Sequence, residues 1–248
     1  QGLANAVGMA LAEKLLAQRY NRPGLAVVDH YTYVFVGDGC LMEGISHEAC
    51  SLAGTLKLGK LIAIYDDNRI SIDGRVSGWF TDDTARRFEA YGWEVIPEVD
   101  GHNPEAIKAA LVSAAIDPDK PTLVCCRTLI GYGAPKKQDT EGAHGAPLGK
   151  DEVAAARERL QWPHPPFEVP DAIRAGWDAR AKGARWSAEW TDLMARYRSE
   201  FPELAAELER RLRGDLPAEF AASAKAYVSR LQAEGPAVAS RKALTLRR

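Results

Sequence analysis

The 248-residue chain has no surplus of charge of either sign: 32 Lys and Arg against 34 Asp and Glu leave a net charge of −2. No global field draws it to nucleic acid or to an anionic membrane, so a small metabolite is the expected partner. It also has no apolar run long enough for a membrane span, and no basic-then-apolar segment opens it. The expectation is a soluble, cytoplasmic protein. Cysteine is scarce: Cys40, Cys50, Cys125 and Cys126 form no C-x-x-C pair, and the adjacent two would point to opposite faces of a strand. That argues against a disulfide framework and for thiols packed as small apolar groups in a reducing cytoplasm, Cys40 among them. Internal repeats and low-complexity tracts are absent as well. What remains, 46% apolar and 27% charged residues, is ordinary for a globular core.

What is present concentrates in a short stretch. The apolar segment Tyr33 to Val36 ends in Gly37-Asp38-Gly39, and a second, Leu61 to Tyr65, ends in Asp66-Asp67-Asn68. Between them Ile45, Ala49, Leu52, Ala53 and Leu56 recur at helical spacing. Strand, crossover helix and parallel strand follow, and this arrangement brings Asp38 and Asn68 to one edge of a sheet, where α/β folds place ligands.

The rest of the chain extends the alternation. Residues 3–19 read as a helix with Leu3, Val7, Ala10, Leu11 and Leu15 on one face; 81–91 as a helix capped by Thr81; 93–99 as a strand. Asn103-Pro104-Glu105 starts a helix facing inward through Ile107, Ala110, Leu111 and Ala114, and 121–127 is a further strand. The predicted class is α/β, a largely parallel sheet with helices on both faces over residues 1–150. Residues 128–149 form a glycine-rich loop, long enough to be functional or mobile. From 151 to 248 a helical extension is expected, with helices near 151–160, 171–198, 202–213 and 217–233. Because the chain opens at Gln1 inside a helical pattern, residues are expected to precede it.

Asp38 and Asn68 offer hard oxygens of the kind Mg²⁺ takes alongside phosphate oxygens. Glycine on both sides of Asp38 would let the backbone turn and a bulky anion approach. The implied ligand is a Mg²⁺-diphosphate. Taken singly, Gly-Asp-Gly is more often a turn and an Asn after a strand more often a cap. Their joint placement, with 28 residues between Gly39 and Asn68, carries the inference. His47 reads as a surface or interface histidine and His102 as structural, whereas His144 lies in the glycine-rich loop, where binding groups concentrate.

The same residues resemble the thiamine-diphosphate fingerprint, and the text around them resembles the transketolase family. The resemblance rests on Gly37 to Glu48, Ser51 to Gly54, Tyr65 to Asn68, Ile72 to Gly74, Phe88 to Trp93, Asp100 to His102 and His144 to Gly149, in order. It implies that Asp38, Asn68 and the main-chain carbonyl of Ile70 hold Mg²⁺, with Ca²⁺ or Mn²⁺ as substitutes. It further implies that Gly39 donates its N–H to the diphosphate, that Ile72 and Ile130 wall the cofactor rings, and that Glu43 belongs to a network joining two active sites of a homodimer. His144 would contact diphosphate and substrate and act catalytically. The implied activity is transfer of a two-carbon ketol unit from a ketose phosphate to an aldose phosphate. In this family the acid that activates the aminopyrimidine sits on the pyrimidine-binding domain of the partner subunit. The 248 residues alone are therefore expected to be inactive, as a fragment of the intact enzyme. Dihydroxyacetone synthase, deoxyxylulose-phosphate synthase and a non-catalytic half of a split enzyme are the alternatives.

Overall fold

The two central strands of the sheet, Leu61–Asp67 and Thr122–Arg127, are apolar runs buried along most of their length, as a position covered on both faces requires. The computed structural model describes residues 1–234; the end of the expected helical extension, 235–248, lies outside the described residues. In chain order the elements are α1 (Gly2–Tyr20), β1 (Thr32–Gly37), α2 (Asp38–Met42), α3 (Gly44–Thr55), β2 (Leu61–Asp67), the small hairpin β3 (Ile70–Ser71) and β4 (Gly74–Arg75), then α4 (Thr84–Ala90), β5 (Glu94–Asp100), α5 (Pro104–Ala114) and β6 (Thr122–Arg127). There follow α6 (Lys150–Arg159), α7 (Asp171–Trp177), α8 (Arg180–Glu200), α9 (Pro202–Leu212) and α10 (Phe220–Glu234).

Four strands form one all-parallel sheet in the order β1-β2-β6-β5, with Gly37 opposite Asp66 and Asp67 opposite Arg127. Crossovers run one way from β1 to β2 and the other way from β5 to β6. A right-handed rule then demands helices on opposite faces. They are there. On one face Leu3, Val7 and Ala10 of α1, Cys50 and Ala53 of α3 and Phe88 of α4 pack with Val36, Leu61, Ala63, Tyr65, Leu123 and Cys125. On the other, Ala110 and Ala114 of α5 pack with Ile62, Val99, Val124 and Cys126. The adjacent cysteines thus enter different cores, as alternation along a strand requires. Trp93 locks the first core, its ring edge-on to Phe88 at 5.0 Å and its indole N–H donated to Cys50 O at 2.9 Å. In β5, Pro97 cannot donate to the ladder; the register shifts between Ile96 and Val99, and Glu98 takes φ 55°.

The chain divides into two compact units, Gln1–Trp190 and Thr191–Arg248, a division that falls within α8. In the second unit Met194, Tyr197, Ala205 and Leu208 are buried.

Several local expectations are corrected. The buried side of α3 is Ser46, Cys50 and Ala53, while Ile45 and Leu52 face solvent, because the helix begins only at Gly44 and its axis is set by packing against α1. In α1 Leu15 is exposed and Glu13 takes a buried place, compensated by Lys60 at 2.6 Å. Asp83, not Thr81, caps α4 by accepting the Arg86 N–H. The helix expected over 171–198 is broken at Asp178, whose carboxylate accepts the Arg180 N–H and pairs with its guanidinium. Cys40 is exposed, not packed; burial of Cys50 and Cys125 pushes their thiols up to about 12.

Candidate cofactor and metal site

The C-terminal ends of β1, β2 and β6 carry the polar tips together. Asp38 opens α2 directly after β1 and is only 4% exposed. Tyr65, near the end of β2 and itself in the core, donates its hydroxyl to Asp38 Oδ1 at 2.6 Å. Asp38 Oδ2 is buried and makes no hydrogen bond. Burial raises the Asp38 carboxyl above its ordinary value, and the Tyr65 hydroxyl pulls it back; Asp67 raises it and the Arg69 backbone N–H lowers it. The Tyr65 hydroxyl lies 2.6 Å from Asp38 Oδ1 and 3.5 Å from Asp67 Oδ1, so the residue before Asn68 is brought next to Asp38.

Asn68 is buried, and its amide orientation is fixed from both ends. Its Nδ2 donates to Asp66 Oδ2 at 3.2 Å and its Oδ1 accepts the Ile70 N–H at 2.9 Å, leaving one lone pair on that oxygen. Asp66 also accepts from the Thr128 hydroxyl. Arg69 supports the tight turn with φ 60°. Ile70, 3% exposed, is the first residue of β3, so its side chain serves as core whatever its carbonyl does. A buried carboxylate oxygen with no partner on Asp38, and an amide oxygen with a free lone pair on Asn68, are donors of the kind a hard cation takes. Among the described residues no group of three His, Cys, Asp or Glu could hold a metal, so any ion here needs amide, carbonyl or ligand oxygens.

A cavity of about 1070 Å³ opens at this edge, lined by Asp38, Tyr65, Asp67, Arg69, Asp100 and Arg127 among others. A second, of about 630 Å³, is lined by Gly37, Asp66, Thr128 and Ile130 on the α5 face. Gly37 has ordinary extended backbone, and a Cβ at Gly37 or Gly39 would meet nothing within 4 Å. The turn itself needs neither glycine; the open space beside them is what remains available to a ligand. Gly39 lies in the first turn of α2, where N–H groups have no helical partner.

The loop after β6 is stitched rather than loose. Gly131, at φ 64°, admits Ala143, whose Cβ would lie 2.8 Å from any Cβ there, and so lets the residue before His144 pack against the start of the loop. Glu152 accepts the N–H groups of Lys136 and Lys137 at 2.6 and 2.9 Å, and Lys137 Nζ donates to Pro147 O. His144 is exposed, and Ile72 is 71% exposed at the hairpin tip. Glu43 is exposed and is not among the residues lining either cavity. His102 accepts the Leu129 N–H at Nε2 and stacks on Tyr132, the structural role expected of it. His47 Nδ1 lies 3.0 Å from the Tyr91 hydroxyl. Sequence reading passed over Tyr65 and Asp66 as site residues. The available signal was their place beside Asn68 at the strand end.

A protein-family model described as "Transketolase, thiamine diphosphate binding domain" matches residues 1–217. The chain is 62% identical over 243 residues to "Transketolase 1" of Pasteurella multocida (strain Pm70), covering 98% of this chain and 36% of that protein. It is 58% identical to "Transketolase 1" of Escherichia coli (strain K12), covering 98% and 37%. Among solved structures, transketolase from Leishmania mexicana superposes with TM-score 0.84 at 44% identity, over 88% of this chain and 33% of that one. A Pichia stipitis transketolase described as a complex with sedoheptulose 7-phosphate gives TM-score 0.83 at 45% identity, over 87% and 32%. The chain therefore spans about a third of the relatives it matches.

Proposed function

The chain belongs to the transketolase thiamine diphosphate binding domain family, and from that premise we propose that it forms the diphosphate- and metal-binding side of a transketolase active site. The observation that supports the reading is the buried, unpartnered Asp38 Oδ2 at the strand ends, with the Tyr65 hydroxyl lying between Asp38 and Asp67, the residue before Asn68. Asp38, Asn68 and the Ile70 carbonyl would hold Mg²⁺, with Ca²⁺ or Mn²⁺ able to replace it, and Gly39 would donate its N–H to the diphosphate. Thiamine diphosphate, when bound, supplies an electron sink for breaking and forming a carbon–carbon bond beside a carbonyl. Ile72 and Ile130 would exclude water beside its rings. His144 would contact the diphosphate and the substrate, and hold or move a proton at the reacting oxygen.

The intact enzyme would transfer a two-carbon ketol unit from a ketose phosphate to an aldose phosphate as a cytoplasmic homodimer, with Glu43 in the network between its two sites. The catalytic acid would come from the partner subunit's pyrimidine-binding domain, so the 248 residues alone turn nothing over. Relatives described as transketolases support this reading over the dihydroxyacetone synthase and deoxyxylulose-phosphate synthase alternatives. Calorimetry with Mg²⁺ and thiamine diphosphate tests the cofactor assignment: wild type is expected to bind only with metal present, and Asp38→Ala to bind more weakly in the presence of metal. Equal affinity of the two proteins removes the metal site.

A further inference from the structure

Asp38 and Tyr65 meet across neighbouring strands, and their geometry assigns one oxygen of the carboxylate to the protein and leaves the other, buried, without a partner. The Tyr65 hydroxyl carries a single proton and has two carboxylates in reach, Asp38 Oδ1 at 2.6 Å and Asp67 Oδ1 at 3.5 Å. The shorter contact takes it, a charge-assisted bond of the strong kind, while the longer lies at the limit of any hydrogen bond. Asp67 is served otherwise: Arg127 donates to its main-chain carbonyl at 2.8 Å and approaches its Oδ1 at 3.3 Å, with Arg69 Nε 3.7 Å away. Tyr65 itself cannot swing. It is 5% exposed and embedded in the core between Ala63 and Cys125 on the central strands of the sheet.

A carboxylate is two-fold symmetric about its last torsion, and with nothing to hold it either oxygen could face the cavity at a range of angles. Here Oδ1 is pinned from β2, and Oδ2 is the atom left without a partner. From this we infer that Tyr65 is a positioning residue: its hydroxyl fixes the rotation of Asp38 so that Oδ2 is presented to the divalent cation. The inference rests on the proposed metal-diphosphate site and adds to it a residue that touches neither metal nor cofactor. Partners that orient a ligand in this way typically change metal affinity by about 10–100-fold when removed. A Tyr65 that only fills space would have no such effect.

The test uses the 248-residue chain, titrated with Mn²⁺ in the presence of thiamine diphosphate and followed by the loss of the free Mn²⁺ resonance signal. Tyr65→Phe is expected to keep the fold by circular dichroism and weaken Mn²⁺ binding by about ten-fold. Should the phenylalanine chain not fold, 4-fluorophenylalanine at position 65 fills the hydroxyl's volume without a proton and is expected to show the same loss. Restoring a donor with 4-aminophenylalanine at that position should restore most of the affinity. In an Asp38→Ala background, where no side-chain oxygen remains for the hydroxyl to hold, Tyr65→Phe should change the residual affinity by less than about two-fold. Wild-type affinity in Tyr65→Phe, or an equal loss in both backgrounds, overturns the positioning role while leaving the metal site standing. If wild type and Asp38→Ala bind Mn²⁺ alike, the site and this inference fall together.

Discussion

Arg75 Nη2 lies 2.6 Å from Asp139 Oδ2, an ion pair that joins the β3–β4 hairpin to the loop carrying His144. The hairpin begins with Ile70, whose carbonyl is a proposed metal ligand, so one contact ties the element carrying that ligand to the loop.

Both partners are partly solvated, at 61% and 29% exposure, so the pair contributes little to global stability, about 0.2–1 kcal/mol. Asp139→Ala should leave the melting temperature nearly unchanged and speed amide exchange over residues 131–149. In wild type, thiamine diphosphate with Mg²⁺ should slow exchange in the same residues. Equal protection with and without the cofactor would show that the loop does not order around it.

Gly54 provides a sharper stability test. A Cβ there would sit 1.8 Å from the Tyr91 carbonyl oxygen and 2.9 Å from its carbon, both backbone atoms that cannot yield cheaply. Gly54→Ala should cost about 3 kcal/mol or more by overpacking. Gly8, on the exposed side of α1 with nothing within 4 Å, should respond oppositely, with Ala stabilising by about 0.5–1 kcal/mol. Chemical denaturation of the two variants measures both, and a mild Gly54→Ala would mean that α3 and the Tyr91 turn can move apart.

The Gly54 contact also shows where sequence reading stops. The apolar runs 33–36 and 61–65, and the 28-residue spacing between Gly39 and Asn68, revealed the parallel pair and its polar edge, because both depend on local composition and on the length of one crossover. The cap at Asn103, with Pro104 first in α5, was legible for the same reason. Which side of α3 faces inward was not. Ile45 and Leu52 are the more apolar residues, yet the close approach of α1 selects the smaller Ser46, Cys50 and Ala53. Nor could a sequence show that Tyr65 would give its one proton to Asp38, since that choice depends on distances across two strands.

Glu13 was hidden by the same tertiary logic, and it yields a third prediction. Its carboxylate is 4% exposed and depends on Lys60 Nζ, which also reaches Asp29 at 2.6 Å. Lys60→Met should destabilise by about 2–3 kcal/mol, because it leaves a buried charge without its partner. Adding Glu13→Leu should recover most of the loss. If the double variant is no more stable than Lys60→Met alone, the lysine's role lies with Asp29 and not with α1.

Glu152 makes the stability of the His144 loop depend on pH. Its carboxylate accepts two backbone N–H groups, and the Lys136 N–H is the main cause that lowers its pKa below the ordinary 4.5, against an opposing effect of desolvation. In the unfolded chain the group titrates near the ordinary value. For an acid whose folded pKa is depressed, the stabilisation is complete above 4.5 and disappears as pH falls through the lower folded value. Amide exchange at Lys136 and Lys137 should therefore be slow near neutrality, after correction for the intrinsic pH dependence of exchange, and lose protection below about pH 4.5. Glu152→Gln retains an acceptor oxygen but cannot titrate, so its corrected protection should be weaker at neutral pH and flat across that window. Wild type and variant sharing one acid profile would mean that another group governs the loop, and that the two bonds from Lys136 and Lys137 do not hold it in place.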